Sequence, residues 1–103
     1  MEDMVAKRRA YGGLRLLDID DLIILRAMRR GFGNKEIAKL LGLTPPAISH
    51  RFLKLRQVFG EDIFVKIKGQ RTGRSLLSEK GERISDRAEM ALDFLAEESK
   101  ASA

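Results

Sequence analysis

GFGNKEIAKLLGLTPPAISHRFLKLRQVFG, residues 31–60, decides the fold. Asn34 reads as the N-cap of a short helix, since Ile37, Ala38, Leu40 and Leu41 follow at helical spacing. Gly42 ends that helix as a residue suited to the left-handed conformation, and Leu43 buries the turn. Thr44 caps a second helix, with Pro45 at its first position, where the missing N–H costs nothing, and Pro46 inside the first turn. Ile48, Phe52, Leu55 and Phe59 then recur at spacings of four, three and four, which makes one buried stripe. Pro46, Ser49, His50, Lys54 and Gln57 lie on the other side, and Gly60 closes the helix. Two short helices joined by a glycine-containing turn, the second amphipathic, spell a helix-turn-helix.

The flanks complete a small domain. A helix from Asp18 or Ile19 to about Arg30 precedes the motif, with Asp18, Asp20 and Asp21 at its start and Arg29 and Arg30 at its end, as a helix dipole favours. Ile19, Leu22, Leu25 and Met28 give it an apolar face, and Gly31 and Gly33 stop it. After the motif, Ile63 to Lys68 alternates as a strand does; Gly69 to Gly73 is a polar turn and Arg74 to Leu77 the return strand, a β-hairpin with a basic tip. Ser78 caps a last helix, with Glu79 and Glu82 in its first turn. Its apolar arc runs through Ile84, Ala88, Ala91, Leu92 and Leu95, with Met90 and Phe94 further round the cylinder. That arc is wide enough to face its own domain on one side and a partner on the other. The fold class expected is mainly α: a winged helix-turn-helix with a three-helix core, a two-stranded wing and a long C-terminal dimerisation helix. Residues 1–17 read as a flexible basic arm, 18–78 as the winged domain, 79–98 as the dimerisation helix and 99–103 as a disordered tail.

Composition narrows the function. The chain has 103 residues, which suits one domain, and a domain of this size often gains stability by association. It contains no cysteine, so disulfides and thiolate metal sites are excluded, and its one histidine, His50, cannot build a metal cluster or a triad alone. No cofactor is expected. No paired-carboxylate site, Gly-rich phosphate loop or nucleophile with its base is present, which argues against an enzyme; Glu61-Asp62 is a polar turn. No apolar run approaches the roughly 20 residues of a membrane span, and Arg15 and Asp18 break the one segment that could pass for a signal peptide. A cytoplasmic location is the default expectation.

Net charge is +5, and its distribution matters more than its size. Ile37 to Gly60 contains no acid but holds Lys39, Arg51, Lys54 and Arg56. Ile63 to Ser78 again contains no acid but holds Lys66, Lys68, Arg71 and Arg74. A one-signed middle is the footprint of a surface that binds a polyanion. In a helix-turn-helix the second helix offers its N-terminal residues to base edges in the major groove. Ser49, His50 and Lys54 are therefore the candidates for base contact, with Thr44, Pro45, Pro46 and Arg51 at the same end; protonation of His50 would tune affinity near neutral pH. Lys66, Lys68, Arg71 and Arg74 suit phosphates or the minor groove. Asn34 and Lys35, at a helix N-terminus, suit a phosphate. Ile84, Ala88, Ala91, Leu92, Phe94 and Leu95 are the candidates for a dimer interface.

Residues 18 to 95 resemble the DNA-binding domain of LysR-type regulators. The resemblance is carried by Thr44, Pro46-Ala47-Ile48-Ser49, Phe52 with Leu55, Gly60, Ile63-Phe64 and Leu77-Ser78-Glu79-Lys80-Gly81. It implies a homodimer that binds double-stranded DNA of specific, pseudo-palindromic sequence and regulates transcription. Members of that family continue into a large ligand-binding domain that has no counterpart in these residues, so no small-molecule effector is implied. The wing is a few residues longer than the family's, a feature similar to the N-terminal domain of molybdate-responsive regulators. GFGNKEIAKLLGLTPPAIS is also similar to LuxR-type helix-turn-helix domains, which lack a basic hairpin after the recognition helix; Ile63 to Gly81 favours the LysR-like reading. The competing function is a winged-helix adaptor for proteins, or a non-specific nucleoid-associated protein.

Overall fold

The computed structural model describes residues 11–65 and 76–99. A 3-10 turn over Gly12–Leu16 leads into α1 (Ile19–Arg29), α2 (Asn34–Leu41) and α3 (Pro45–Phe59). A second 3-10 turn, Glu61–Ile63, precedes β1 (Phe64–Val65), which pairs antiparallel with β2 (Leu76–Leu77) before α4 (Glu79–Glu98). No helix among the described residues is long and apolar enough to cross a membrane.

Local chemistry sets most of these boundaries. Asp18 is the N-cap of α1: its carboxylate accepts from the N–H of Asp21, whose own carboxylate accepts from the N–H of Asp18. Thr44 caps α3, with its hydroxyl accepting from Ala47 N–H at 3.3 Å, and Pro45 occupies the first helical position. Gly42 stands at φ +65, the left-handed conformation that suits glycine, and so lets Leu43 N–H close on the Ala38 carbonyl. The cap of α2 is Gly33, not Asn34. Glu36 reaches back to accept from Gly33 N–H at 3.3 Å, which places Asn34 inside the first turn.

The core is drawn from every helix. Ile24, Leu25, Ala27 and Met28 of α1 meet Ile37 of α2, Ile48, Phe52 and Leu55 of α3, then Ile63, Phe64 and Ala88. The rings of Phe52 and Phe64 meet edge to face with centroids 5.5 Å apart. Leu22, Leu25 and Met28 face inward as expected, but Ile19 is half exposed; the inward face of α1 begins instead with the carboxylate of Asp21, which is fully buried.

Three expected features take a different form. Ile63 lies in the 3-10 turn rather than in the strand, and the described part of the hairpin is a two-residue ladder, Phe64 opposite Leu77 and Val65 opposite Leu76. The turn, with Lys66, Lys68, Arg71 and Arg74, lies outside the described residues. The segment Gly12–Leu16, expected to be part of a loose arm, is a 3-10 turn that approaches α3, with Gly13 against Val58. In α4, Gly81, Ser85 and Ala88 are buried and Ile84 packs against the core, so this stripe covers α1 instead of facing a partner. Arg29 bridges to Glu82 and Asp86, and Arg30 to Glu89, so the same contact is flanked by ion pairs.

Gly81 is where α4 comes closest to the rest. A Cβ built there would stand 2.2 Å from the carbonyl oxygen of Ile63, a backbone atom held by Ser78 N–H at 3.0 Å. On an exposed helix, Gly to Ala would stabilise by roughly 1 kcal/mol. Here Gly81→Ala is expected to destabilise by about 1–3 kcal/mol, the range of overpacking, and to lower the melting temperature by at least several degrees. A variant that melts at or above the parent temperature would contradict the close approach.

Candidate nucleic-acid interface

The face of α3 that points to solvent follows from the face that does not. Ile48, Phe52 and Leu55 are buried and Phe59 is half-buried, so the opposite side is outward. Pro46, Ser49, His50, Leu53 and Gln57 are the exposed residues there. Thr44 and Pro45, at the start of the helix, are exposed as well. Sequence reading missed Leu53 as a candidate and set Gln57 aside, although the steps from 46 to 50, 53 and 57 trace one line along a helix.

Arg51 and Lys54 are turned away from this line toward the start of α1. The Arg51 guanidinium donates to Asp18 at 2.6 Å and to Asp21 at 3.2 Å, with Asp20 at 3.7 Å. Lys54 Nζ lies 2.7 Å from Asp21 and 4.0 Å from Asp18. Asp21 is fully buried, and an unpaired carboxylate there would be costly; the two cations and the Asp18 N–H satisfy it. The hydrogen bond from Arg51 holds the Asp18 carboxyl below the usual carboxylate range, helped by Asp21 N–H and Lys54 and opposed by partial burial. Asp18 in turn raises the guanidinium of Arg51.

The remaining cation of α3 is engaged too. Arg56 lies 5.1 Å above the ring of Phe64 and 3.9 Å from Glu61. The run Lys39 to Arg56, acid-free in sequence, is therefore not free of acids in space. Arg51, Lys54 and Arg56 each meet a carboxylate from another element. Lys35 and Lys39 of α2 are exposed and have no carboxylate partner among the described residues. Asn34 is half-buried beside Lys35 at the N-terminus of α2. In the C-terminal half of α4, Phe94 is 63% and Leu95 60% exposed, Met90 and Ala91 are exposed, and Leu92 is half-buried. The dimer candidates thus divide into a buried pair, Ile84 with Ala88, and an outer group.

No family model matches the sequence. An uncharacterized HTH-type transcriptional regulator, YbeF of Escherichia coli (strain K12), is 39% identical over 64 residues, 62% of this chain and 20% of that protein. The chain thus spans about a fifth of the length of the curated relative it matches. The crystal structure of the probable transcriptional regulator PA0477 from Pseudomonas aeruginosa aligns with a TM-score of 0.68 at 24% identity, over 88% of this chain and 29% of that one. The fold is therefore shared with a protein of that description, and α2, the Gly42 turn and α3 form the helix-turn-helix.

The Asp18–Arg51 pair gives a pH test. A carboxyl whose value is depressed by folding contributes stability above its unfolded value, near 3.9, and loses it as pH falls through the folded one. Asp18→Asn keeps a capping oxygen and removes the charge. It should lower stability at pH 7 by roughly 0.2–1 kcal/mol, as befits a half-exposed pair, and the gap from the parent should close below about pH 4. Thermal melts from pH 7 to pH 3 measure this; a gap that stays constant with pH would contradict the pairing.

Proposed function

We propose that the chain is the DNA-binding module of a transcriptional regulator of LysR-like type, acting on double-stranded DNA of specific sequence. The observation that carries this reading is the outward face of α3. It is an exposed line on the second helix of a helix-turn-helix, with the hydrogen-bonding Ser49, His50 and Gln57 beside Pro46 and Leu53, while the carboxylates that meet α3 side chains, Asp18, Asp20, Asp21 and Glu61, are paired to its cations. A base-reading helix needs donors and acceptors that can reach base edges in the major groove.

In this reading Ser49 and His50 contact base edges, with Thr44, Pro45 and Pro46 setting the approach of the helix N-terminus. Lys54 and Arg51, expected from the sequence to touch DNA, act through Asp21 and Asp18 as residues that fix the roll of α3. Asn34 and Lys35 bring the N-terminus of α2 to a phosphate. Lys66, Lys68, Arg71 and Arg74 form a basic wing that meets phosphates or the minor groove and supplies most of the counter-charge. The outer residues of α4, namely Ala91, Leu92, Phe94 and Leu95 with Met90, pair two copies, so that two α3 helices read half-sites one turn of DNA apart or a multiple of it.

Fluorescence anisotropy on a set of duplexes at two salt concentrations tests this division of labour. Each phosphate contact contributes about 0.9 to the slope of log affinity against log salt. Lys68→Ala should cut the slope by about one contact and weaken all sequences alike, whereas Ser49→Ala should leave the slope unchanged and relax sequence preference by roughly 1–3 kcal/mol at one base pair. Binding that is insensitive to salt would contradict the reading. For the dimer, Phe94→Asp should shift the species seen by analytical ultracentrifugation from two copies toward one while the melting curve of the domain holds. A parent that sediments as a monomer at every concentration would contradict it.

A further inference from the structure

The three cations of α3 are spent on carboxylates of other elements: Arg51 and Lys54 on Asp18 and Asp21, Arg56 on Glu61. What α3 turns outward is a neutral line, Pro46, His50, Leu53 and Gln57, with Ser49 beside it. Leu53 sits near the middle of this line and is 46% exposed, although the core is adjacent: Phe52 and Leu55, its neighbours in sequence, are 4% and 0% exposed. Its side chain is held out by the rotation of the helix, which the buried stripe of Ile48, Phe52 and Leu55 and the ion pairs of Arg51 and Lys54 with buried Asp21 fix together.

A lone leucine among serine, histidine and glutamine is too small an apolar patch to anchor a protein partner. It does match one feature of the major groove. Of the base edges displayed there, thymine alone among the four presents an apolar group, its 5-methyl, and it does so between hydrogen-bonding neighbours. We propose that Leu53 is a specificity-determining residue that packs against the 5-methyl group of a thymine in the binding site. This rests on the reading of α3 as the major-groove helix. An apolar side chain cannot pair with the cytosine amino group or the guanine carbonyl. Leu53 therefore selects thymine in two ways: it covers the methyl, and it leaves any other base with a desolvated polar group.

The test separates this proposal from the reading beneath it. The preferred duplex of the parent protein is first obtained by selection from random double-stranded DNA. Each thymine of that duplex is then replaced singly by deoxyuridine, which removes only the methyl. At one position per half-site the parent should lose about threefold to fivefold in affinity, the worth of one buried methyl group. Leu53→Ala, an exposed substitution that should melt with the parent, should bind more weakly and show no penalty for deoxyuridine at that position. Leu53→Met should keep the penalty. If Leu53→Ala retains the same deoxyuridine penalty at every position, or if no thymine methyl matters to the parent, the assignment of Leu53 is overturned while the DNA-binding reading stands. If the parent selects no sequence at all, both fall.

Discussion

A single buried carboxylate organises this domain. Asp21 has no exposure to solvent, and its two oxygens are taken by Asp18 N–H, Arg51 and Lys54. Burying a charge is tolerable only when it is paired and hydrogen-bonded, so the start of α1 and the middle of α3 have little freedom to slide or roll against each other. Asp18 and Asp20 extend the same contact toward solvent, where screening makes each pair worth less. Hydrophobic packing of Ile24, Leu25, Phe52 and Leu55 supplies the bulk of the cohesion. It is non-directional, and the ion cluster adds a directional element to the buried stripe of Ile48, Phe52 and Leu55, which turns the opposite face of α3 outward.

The consequence reaches function. With Arg51, Lys54 and Arg56 each paired to a carboxylate of the same chain, α3 presents neutral groups outward, and in the proposed reading the charge that attracts a polyanion comes from α2 and from the basic sequence between β1 and β2. In that reading affinity and discrimination rest on different elements, the division expected where phosphate contacts position a protein and base contacts specify its site. On the opposite side, α4 spends its first half on α1 through Gly81, Ser85 and Ala88 and carries its remaining apolar residues past the edge of the core. One helix thereby serves folding along one face and leaves Met90, Ala91, Phe94 and Leu95 exposed.

The parts legible in the sequence were those governed by local rules. Thr44 with Pro45, Gly42, Ser78, and the spacing of Ile48, Phe52 and Leu55 each encode a cap, a turn or a face within a few residues, and each stands where its chemistry places it. Asn34 shows the limit of such rules: a good capping residue lost the position to Gly33 because Glu36 lay three residues beyond the glycine. The ion cluster was not legible, since Arg51 lies 33 residues from Asp18 and 30 from Asp21, and no local pattern announces that they meet. The acid-free run from Ile37 to Gly60 suggested a free basic surface for the same reason: its neutralising partners come from other parts of the chain. Ile84 and Ala88 looked available for a second copy because their true partner, α1, is also remote in sequence.

The most direct measurement is a two-dimensional NMR titration of the chain, labelled with nitrogen-15, with its selected duplex at moderate salt. Large shifts at Ser49, His50, Leu53 and Gln57 are predicted, with Arg51 and Lys54 little changed because their contacts to Asp18 and Asp21 persist in the complex. Perturbation confined to the outer end of α4, with α3 unmoved, would contradict the outward face of α3 as the nucleic-acid interface.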